Sequence, residues 1–341
     1  MKKELFIFGT RPEIIKCAPL LKKINVISIH TGQHSDLAVE ALKIFNIEPD
    51  YNLQLMTENQ TQAEFISKCI ISLEKIIRKV KPTRIWVQGD TSTAFCGAFC
   101  AFQMNIPLVH LEAGLRTGDF KNPYPEEFYR KTIDSMASIC FAPTQKNVRN
   151  LKMENVKGRI HCVGNTVVDA LEMIKPQLPK ERPIKEKYVL MTMHRRESFE
   201  KDIYTTLKVI KKLSKNIKVV FPAHPNPNVQ KAVKKTKIKT IEPLNYLDFL
   251  WYLRDCEYAI SDSGGLQEEC PSFNKPLLIL RKSTERQEIL KTGMAFLSDL
   301  TEDDLNLKIK KVQKLVDKKY RKNPFGTGKT SDKIIKIINE K

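Results

Sequence analysis

The amino-acid sequence predicts an α/β protein with two doubly wound, Rossmann-like domains facing a cleft. Short apolar runs alternate with segments of helical spacing, a pattern typical of parallel sheets covered by helices on both faces. Residues 176–187 are rich in proline and charge, as linkers are, and the alternation restarts after them. We therefore expect an N-terminal domain at 1–170, a second domain at 171–324, and a C-terminal helix at 325–341 that joins the first domain.

In the first half, apolar runs predict strands at 5–8, 26–30, 85–88, 108–111, 139–142 and 160–164. Helical spacing predicts helices at 37–44, 63–80 and 94–103 and one from Glu126 onward. Ionisable residues follow three of these strands, with Lys16 after the first, Asp90 after the third and Glu112 after the fourth. Since ligands of parallel sheets gather at the carboxyl ends of strands, these residues predict a functional site.

In the second half, strands are predicted at 188–192, 218–222, 258–260 and 277–280, with helices at 202–213, 246–254 and 331–339. Residues 261–269 follow an apolar run with a glycine-rich turn and a helix. Such a turn suits a phosphate, and Glu269 one helical turn later suits a ribose; a plain helix cap is the alternative. Residues 326–331 resemble a P-loop, but Asn323 stands where that motif needs glycine, so a turn before the last helix is expected.

Composition limits the classes of function. The formal charge of +19 comes from 58 Lys and Arg against 39 Asp and Glu, but aromatic residues do not interleave with the lysines, so nucleic-acid binding is not expected. The eight cysteines form no CxxC pair and no zinc spacing, which favours buried thiols in a reducing compartment and no metal. No apolar stretch approaches a membrane span and no signal peptide is recognisable, so a cytoplasmic protein is expected.

Six motifs, in order along the chain, resemble the non-hydrolysing UDP-N-acetylglucosamine 2-epimerases. They are Gly9-Thr10-Arg11-Pro12-Glu13, Gly89-Asp90-Thr91, His110-Leu111-Glu112-Ala113-Gly114-Leu115-Arg116, Pro125-Glu126-Glu127 with Arg130, His194-Arg195-Arg196-Glu197 and Asp262-Ser263-Gly264-Gly265. The resemblance implies a glycosyltransferase-B-like architecture and a homodimer active in polysaccharide biosynthesis. It implies inversion of carbon 2 of a UDP-2-acetamido sugar through UDP elimination and re-addition, without a cofactor or metal.

The resemblance also implies the roles of individual residues. The implied catalytic residues are Lys16, Asp90, Glu112, Glu126, Arg130 and His194, and the implied UDP-binding residues are Arg11, Phe249, Ser263, Gly264, Gly265, Glu269 and Arg286. The three carboxylates supply acid and base, with the assignment of each left open. Arg11, Lys16 and Arg130 lie near the diphosphate or intermediate. Phe249 lies at the uracil, Glu269 at the ribose, and His194 and the glycine turn at the phosphates.

Some positions depart from the family pattern and leave the sugar open. Phe128 and Tyr129 replace a small residue and Asn, which would favour a deoxygenated or L-configured sugar, as in the formation of UDP-N-acetyl-L-rhamnosamine. The sequence does not decide whether a second, regulatory UDP-sugar site is present near Gln33-His34 and His224. The alternatives are a UDP-sugar glycosyltransferase of the same architecture and a hydrolysing 2-epimerase.

Overall fold

The computed structural model describes residues 3–33, 36–193, 201–223 and 226–340. The chain forms two compact units, one from Met1–Met173 together with Phe325–Lys341 and the other from Ile174–Pro324. Within the described residues, no helix is both long enough and apolar enough to cross a membrane. Each unit is described by itself below.

The first unit contains a parallel sheet covered by helices. Its strands are β1 Glu4–Phe8, β2 Val26–His30, β3 Tyr51–Asn52, β4 Arg84–Gln88, β5 Leu108–Leu111, β6 Ile139–Ala142 and β7 Arg159–Cys162. Its helices up to the linker are α1 Arg11–Leu21, α2 Asp36–Ile44, α3 Gln62–Val80, α4 Ser92–Gln103, α5 Glu126–Met136, α6 Gln145–Met153 and α7 Thr166–Ile174.

In the described residues the strand order of this sheet is β3-β2-β1-β4-β5-β6-β7, and the paired strands are parallel. β1, an interior strand, is buried along its whole length because helices cover both faces, which explains the apolar run from Leu5 to Phe8. Phe6 stacks on Trp86 of the neighbouring strand at 4.7 Å between ring centroids. The chain order reverses between β1 and β4, and at such a switch point the loops after the two strands separate and leave a crevice for a ligand.

The second unit repeats this plan on a smaller scale. Its described strands are β8 Tyr188–Thr192, β9 Lys218–Val220, β10 Ala259–Ser261, β11 Leu277–Ile279 and β12 Ala295–Leu297, in the order β12-β11-β10-β8-β9. Its helices are α8 Lys201–Leu213, α9 Pro227–Thr236, α10 Tyr246–Asp255, α11 Gly264–Glu269, α12 Gln287–Leu290 and α13 Glu302–Gln313. The pairing is again parallel, and the switch point lies between β8 and β10.

The last helix, α14 Thr330–Asn339, belongs to the first unit. The Asp169 carboxylate accepts hydrogen bonds from the backbone N–H groups of Thr330 and Ser331 at 3.1 and 2.7 Å and from the Ser331 hydroxyl at 2.7 Å. A protein carboxylate thus occupies the helix N-terminus that a P-loop would offer to phosphate. The prediction of a turn and helix instead of a P-loop is confirmed.

The predicted fold class is confirmed, and several strands have the predicted bounds. α4 begins at Ser92, two residues earlier than predicted, because the Thr91 side chain accepts the N–H of Ala94 at 3.0 Å and so caps the helix. The eight cysteines are free thiols, and all except Cys162 are buried. The structure adds elements that the sequence pattern did not predict, namely β3, β12, α6, α7, α9, α12 and α13.

Candidate active site and nucleotide site

The first group of candidate residues lies at the carboxyl ends of β1, β4 and β5. Lys16 of α1 donates to both oxygens of Glu112, at 2.6 and 2.7 Å, and both side chains are buried. The Glu112 carboxylate also accepts from the side-chain amides of Gln88, at the end of β4, and Asn165, at 3.1 Å for the latter. Four donor contacts to one carboxylate hold it in a single orientation and favour its ionised form.

The backbone of Glu112 lies in the left-handed region, with φ of 68°. A residue with a Cβ atom is strained there by about 1–2 kcal/mol, and such strain persists only where surrounding contacts require it. The four side-chain contacts to the Glu112 carboxylate are such a requirement. Strain concentrated at a strand end beside a buried ion pair is typical of a functional site.

A second carboxylate and cation pair is formed by Asp90 and Arg130. The guanidinium of Arg130, on α5, donates through Nε to Asp90 Oδ2 at 3.0 Å and makes a second, shorter contact with the same oxygen. Asp90 is the more accessible carboxylate, with 26% of its side chain exposed against 6% for Glu112. Glu126 is half-buried at the start of α5, one turn before Arg130 and therefore on the same helix face.

Glu127 belongs to one of the six motifs, but the sequence reasoning assigned it no role. Its carboxylate is fully buried, accepts from Arg130 at 2.9 Å, and also accepts the backbone N–H groups of Thr117 and Gly118 at 3.0–3.1 Å. It thereby orients Arg130 and fastens the loop after β5 to α5. The spacing of three between Glu127 and Arg130 on a helix was the available sequence signal.

The turn after β1 directs its backbone amides to a side chain of the protein. The backbone N–H groups of Gly9 and Thr10 donate to Glu13 Oε2 at 3.1 and 2.8 Å, and the Thr91 hydroxyl donates to Glu13 Oε1 at 2.7 Å. The Glu13 carboxylate therefore takes the hydrogen bonds of both backbone N–H groups and connects the loops after β1 and β4. Burial raises its pKa to about 7, against the opposing effect of the hydrogen bonds from Thr91, Thr10 and Gly9. Arg11, the first residue of α1, is half-buried.

Phe128 lies on a different side of α5 from Glu126 and Arg130. It lies two positions from both Glu126 and Arg130, about 200° around the helix. Its ring packs against Phe95, Phe120 and Tyr129 and is 48% exposed. The bulk of Phe128 therefore gives no structural support to the expected preference for a deoxygenated or L-configured sugar.

The second group lies in the second unit, at the switch point between β8 and β10. The hydroxyls of Thr192 and Ser261, at the ends of these strands, are 2.6 Å apart, and Ser261 accepts the N–H of Ser263 at 2.9 Å. Ser263 is the N-cap of α11 and Gly264 its first residue. A Cβ at Gly265 would meet protein atoms only at ordinary distances of 3.7 Å or more. Protein packing therefore does not require glycine at this position.

Glu269 folds back over the start of α11, since its Oε1 lies 3.9 Å from the position of a Cβ at Gly265. The hydroxyl of Tyr246, in α10, donates to the same oxygen at 2.8 Å and so fixes the carboxylate. Tyr246 was not predicted. Phe249 is half-buried and lies three residues later, on the Tyr246 side of α10; its predicted place near a base stays a prediction.

Arg286 is held by two buried carboxylates, with Nε donating to Glu268 at 2.6 Å and a shorter contact from its terminal nitrogen to Glu285. Its backbone N–H donates to the Thr284 hydroxyl at 3.1 Å, and that hydroxyl donates to Gln267 at 2.6 Å. Gln267 in turn donates to the Ser263 carbonyl at 3.3 Å. The loop after β11 is thus tied to the glycine turn.

Three predicted histidines cannot be placed. His194, two residues after β8, and His34 and His224, from the regulatory-site hypothesis, lie outside the described residues. The side-chain oxygen of Gln33, the neighbour of His34, accepts hydrogen bonds from the N–H and the hydroxyl of Thr93 at 3.1 and 2.8 Å. Among the described residues, no cluster of three or more His, Cys, Asp or Glu is placed to hold a metal ion.

The structure therefore brings charged side chains together at one sheet edge of the first unit and a glycine turn with an acidic and a basic side chain at the switch point of the second. Two such doubly wound units define an enzyme class of glycosyltransferase-B-like architecture.

The sequence model of the UDP-N-acetylglucosamine 2-epimerase family matches residues 20–339, and the chain belongs to this isomerase family, in its non-hydrolysing form. A UDP-N-acetylglucosamine 2-epimerase of Campylobacter jejuni is 38% identical, covering 99% of this chain and 97% of that protein. The crystal structure of the enzyme from Neisseria meningitidis bound to UDP-GlcNAc has a TM-score of 0.91 and 34% identity, covering 99% of this chain and 100% of that one.

The enzyme from Methanocaldococcus jannaschii, in complex with UDP-GlcNAc and UDP, has a TM-score of 0.87 and 34% identity, and the match covers 100% of both chains. The family membership predicted from the six motifs is confirmed. It supports epimerisation at carbon 2 of a nucleotide sugar as the type of reaction.

Proposed function

We propose that this chain inverts carbon 2 of UDP-N-acetylglucosamine to give UDP-N-acetylmannosamine, by eliminating UDP and adding it back to a glycal intermediate. The observation that carries the proposal is the presence of two carboxylate and cation pairs, Glu112 with Lys16 and Asp90 with Arg130, at the ends of neighbouring strands. The UDP-GlcNAc complexes of two family members support the choice of substrate.

Elimination needs a base at carbon 2 and cations that stabilise the departing diphosphate. The base removes the carbon-2 proton, its electron pair forms the double bond between carbons 1 and 2, and the bond from carbon 1 to oxygen breaks with its pair leaving on UDP. Re-addition reverses these steps, with a proton delivered to the other face of carbon 2. The reaction is therefore balanced without an external oxidant or reductant.

Asp90, Glu112 and Glu126 are the candidate carboxylates for the acid and base. The Asp90 side chain is 26% exposed, whereas the Glu112 side chain is 6% exposed and its carboxylate already accepts from Lys16 and Asn165. Glu126, at the start of α5, is half-buried. We therefore assign proton transfer to Asp90 and Glu126. Glu112 holds Lys16, and Lys16, Arg11, Arg130 and His194 stabilise the anionic leaving group or intermediate.

UDP binds in the second unit in this proposal. Ser263, Gly264 and Gly265 hold phosphate through the start of α11, and Glu269, fixed by Tyr246, accepts from ribose hydroxyls. Phe249 contacts uracil and Arg286 lies at the nucleotide side. The glycine turn and the fixed carboxylate at one switch point are the features that support this placement.

The test is incubation with UDP-N-acetylglucosamine alone in deuterated water, followed by NMR. Deuterium at carbon 2 together with UDP-N-acetylmannosamine is the expected result. Free UDP with free N-acetylmannosamine would indicate hydrolysis instead, and no exchange without an acceptor would favour a glycosyltransferase. Asp90→Asn and Glu126→Gln should each abolish exchange while UDP binding is retained, whereas Glu74→Gln, an exposed carboxylate of α3, is the matched control.

The identity of the sugar is tested with a panel of UDP-2-acetamido sugars in the same exchange assay. We expect UDP-N-acetylglucosamine to exchange fastest, because Phe128 points away from Glu126 and Arg130. Faster exchange of a deoxygenated or L-configured sugar would refute this choice of substrate while leaving the epimerase chemistry intact.

We also propose that the enzyme is a homodimer that pairs through an aromatic face of the first unit. Phe95, Phe99 and Phe102 have the i, i+4, i+7 spacing of one side of α4, and Phe102, Phe120 and Phe128 are 62%, 53% and 48% exposed. Sedimentation equilibrium should give a dimer that Phe102→Lys dissociates. Leu307→Lys, at a 51% exposed position of α13, is the control, and a monomeric wild type would contradict the proposal.

A further inference from the structure

His110, in the middle of β5, is a fully buried histidine with a partner on each ring nitrogen. Nδ1 is 2.6 Å from Oδ1 of Asp134, and Nε2 is 2.8 Å from the carbonyl oxygen of Gly89. Gly89 is the residue that immediately precedes Asp90. Its N–H is also held, since it donates to the carbonyl of Leu111 at 3.0 Å. Both backbone groups of Gly89 are therefore held from β5, the N–H by the Leu111 carbonyl and the carbonyl by His110.

The partners determine the protonation of the ring. A backbone carbonyl can only accept, so Nε2 must carry a proton. On the other side, Oδ2 of Asp134 accepts from the Gly114 N–H at 3.1 Å and from Arg116 at 2.8 Å. These donors favour the carboxylate, so the proton between Asp134 and His110 belongs on Nδ1 and the ring is an imidazolium.

Other charged or titratable groups surround this pair. Arg116 is itself paired with Glu154 at 2.9 and 3.0 Å, and Lys131 also approaches Glu154 at 3.4 Å. Cys140, the register partner of His110 on β6, has a pKa raised by burial and by Asp134, so it stays a neutral thiol. Burial raises the pKa of Asp134, but the charges and hydrogen bonds of His110 and Arg116 outweigh burial and lower it.

The hydrogen bond from His110 to the Gly89 carbonyl affects the position of Asp90, the proposed catalytic carboxylate, through the backbone. Gly89 has φ of +71°, the left-handed conformation at which the chain turns to present Asp90. Two residues of α5 act on Asp90. Arg130 binds the Asp90 carboxylate directly. Asp134, one turn later on the same helix face, binds His110, which in turn binds the carbonyl of Gly89 just before Asp90.

We propose that His110 is a positioning residue, an imidazolium locked between Asp134 and the Gly89 carbonyl, that holds the turn carrying Asp90 in the geometry needed for proton transfer. The proposal rests on the proposed epimerase function for its kinetic consequence. Its structural part, the doubly protonated ring, stands independently of that function.

The first experiment measures the ring directly. In wild-type protein labelled with ¹⁵N histidine, long-range proton-nitrogen NMR should show both ring nitrogens of His110 protonated at pH 7.5, with assignment by the signal lost in His110→Gln. The chain has six histidines, so the spectrum is resolvable. An unprotonated ring nitrogen at this pH would overturn the proposal, whatever the enzyme's activity.

The second experiment measures turnover. His110→Asn keeps a donor toward Asp134 but is too short to reach Gly89, so kcat for carbon-2 exchange should fall about 10- to 100-fold, as expected for a misplaced catalytic group, with KM nearly unchanged. His110→Gln, whose longer amide can donate to the Gly89 carbonyl, should recover part of the loss. His161→Asn, in β7, is the control for the same chemical change.

A folded His110→Asn with wild-type kcat would overturn the proposal, as would a rise in KM that accounts for the whole loss. If the wild type shows no carbon-2 exchange, the proposed function fails, and the NMR result alone then decides the state of His110. If His110→Asn does not fold, His110→Gln and the NMR measurement on the wild type still decide.

Discussion

Glu13 is a buried carboxylate whose ionisation should weaken the first unit. Its folded-state pKa, raised by burial from the ordinary value of 4.5 to about 7, means that the folded chain keeps a proton that the unfolded chain releases between these pH values. The free energy of unfolding must therefore fall as pH rises from 4.5 to 7 and stay level above 7. Each pKa unit corresponds to about 1.4 kcal/mol, so this change amounts to about 3 kcal/mol.

Glu13→Gln removes the ionisation and keeps the contacts. The amide oxygen can accept from the N–H groups of Gly9 and Thr10, and the amide nitrogen can donate to the Thr91 hydroxyl. We expect the variant to lack this component of the pH dependence. Above pH 7 it should be more stable than the wild type by about 3 kcal/mol, whereas near pH 4.5 the two proteins should be equal.

Urea unfolding at several pH values tests this in a Trp251→Phe background. The chain has two tryptophans, and Trp86, buried in β4, then reports the first unit alone. Glu64→Gln is the control, because Glu64 has the same capping position in α3 but is exposed, and hydrogen bonds from Thr61 lower its pKa. Equal pH dependence of the wild type and Glu13→Gln would refute the reasoning, as would a variant less stable at pH 8.

Three further predictions concern single contacts. Gly265→Ala should weaken UDP binding without lowering the unfolding temperature of the second unit, because an added methyl meets protein atoms only at ordinary distances; unchanged affinity by calorimetry would contradict the proposed phosphate site. Tyr246→Phe should weaken UDP binding about 5- to 10-fold by releasing Glu269, while carbon-2 exchange at saturating substrate is retained. Asp169→Ala should destabilise the first unit by about 1–3 kcal/mol in urea, since two buried N–H groups at the start of α14 lose their acceptor.

The strands that the sequence predicts best are short runs rich in apolar residues. β2, β5, β6 and β8 have the predicted bounds, and most of their residues are buried, which favours apolar side chains on both faces. The helices that were missed are mostly polar or short of apolar residues. α6 buries only Asn147 and Leu151, so its helical state depends on its N-cap Thr144 and on packing more than on periodicity.

At the candidate site, too, some features were predictable from the sequence and others were not. Motifs identify Asp90, Glu112 and Lys16 as members, but not their partners. Lys16 and Glu112 are 96 residues apart, and no local pattern predicts that one neutralises the other. The predicted roles of all site residues stay predictions, and His194 lies outside the described residues.

The sequence by itself determined the α/β class, the family and the strand ends that carry ionisable residues, because strand and helix periods are local properties of the chain. Only the tertiary structure decided that Glu13 occupies the amides after β1, that Glu127 orients Arg130, and that His110 reaches the Gly89 carbonyl. These pairings depend on strand order and helix packing, which bring distant segments within hydrogen-bond distance at a switch point. Their chemistry follows from burial, which no local pattern specifies.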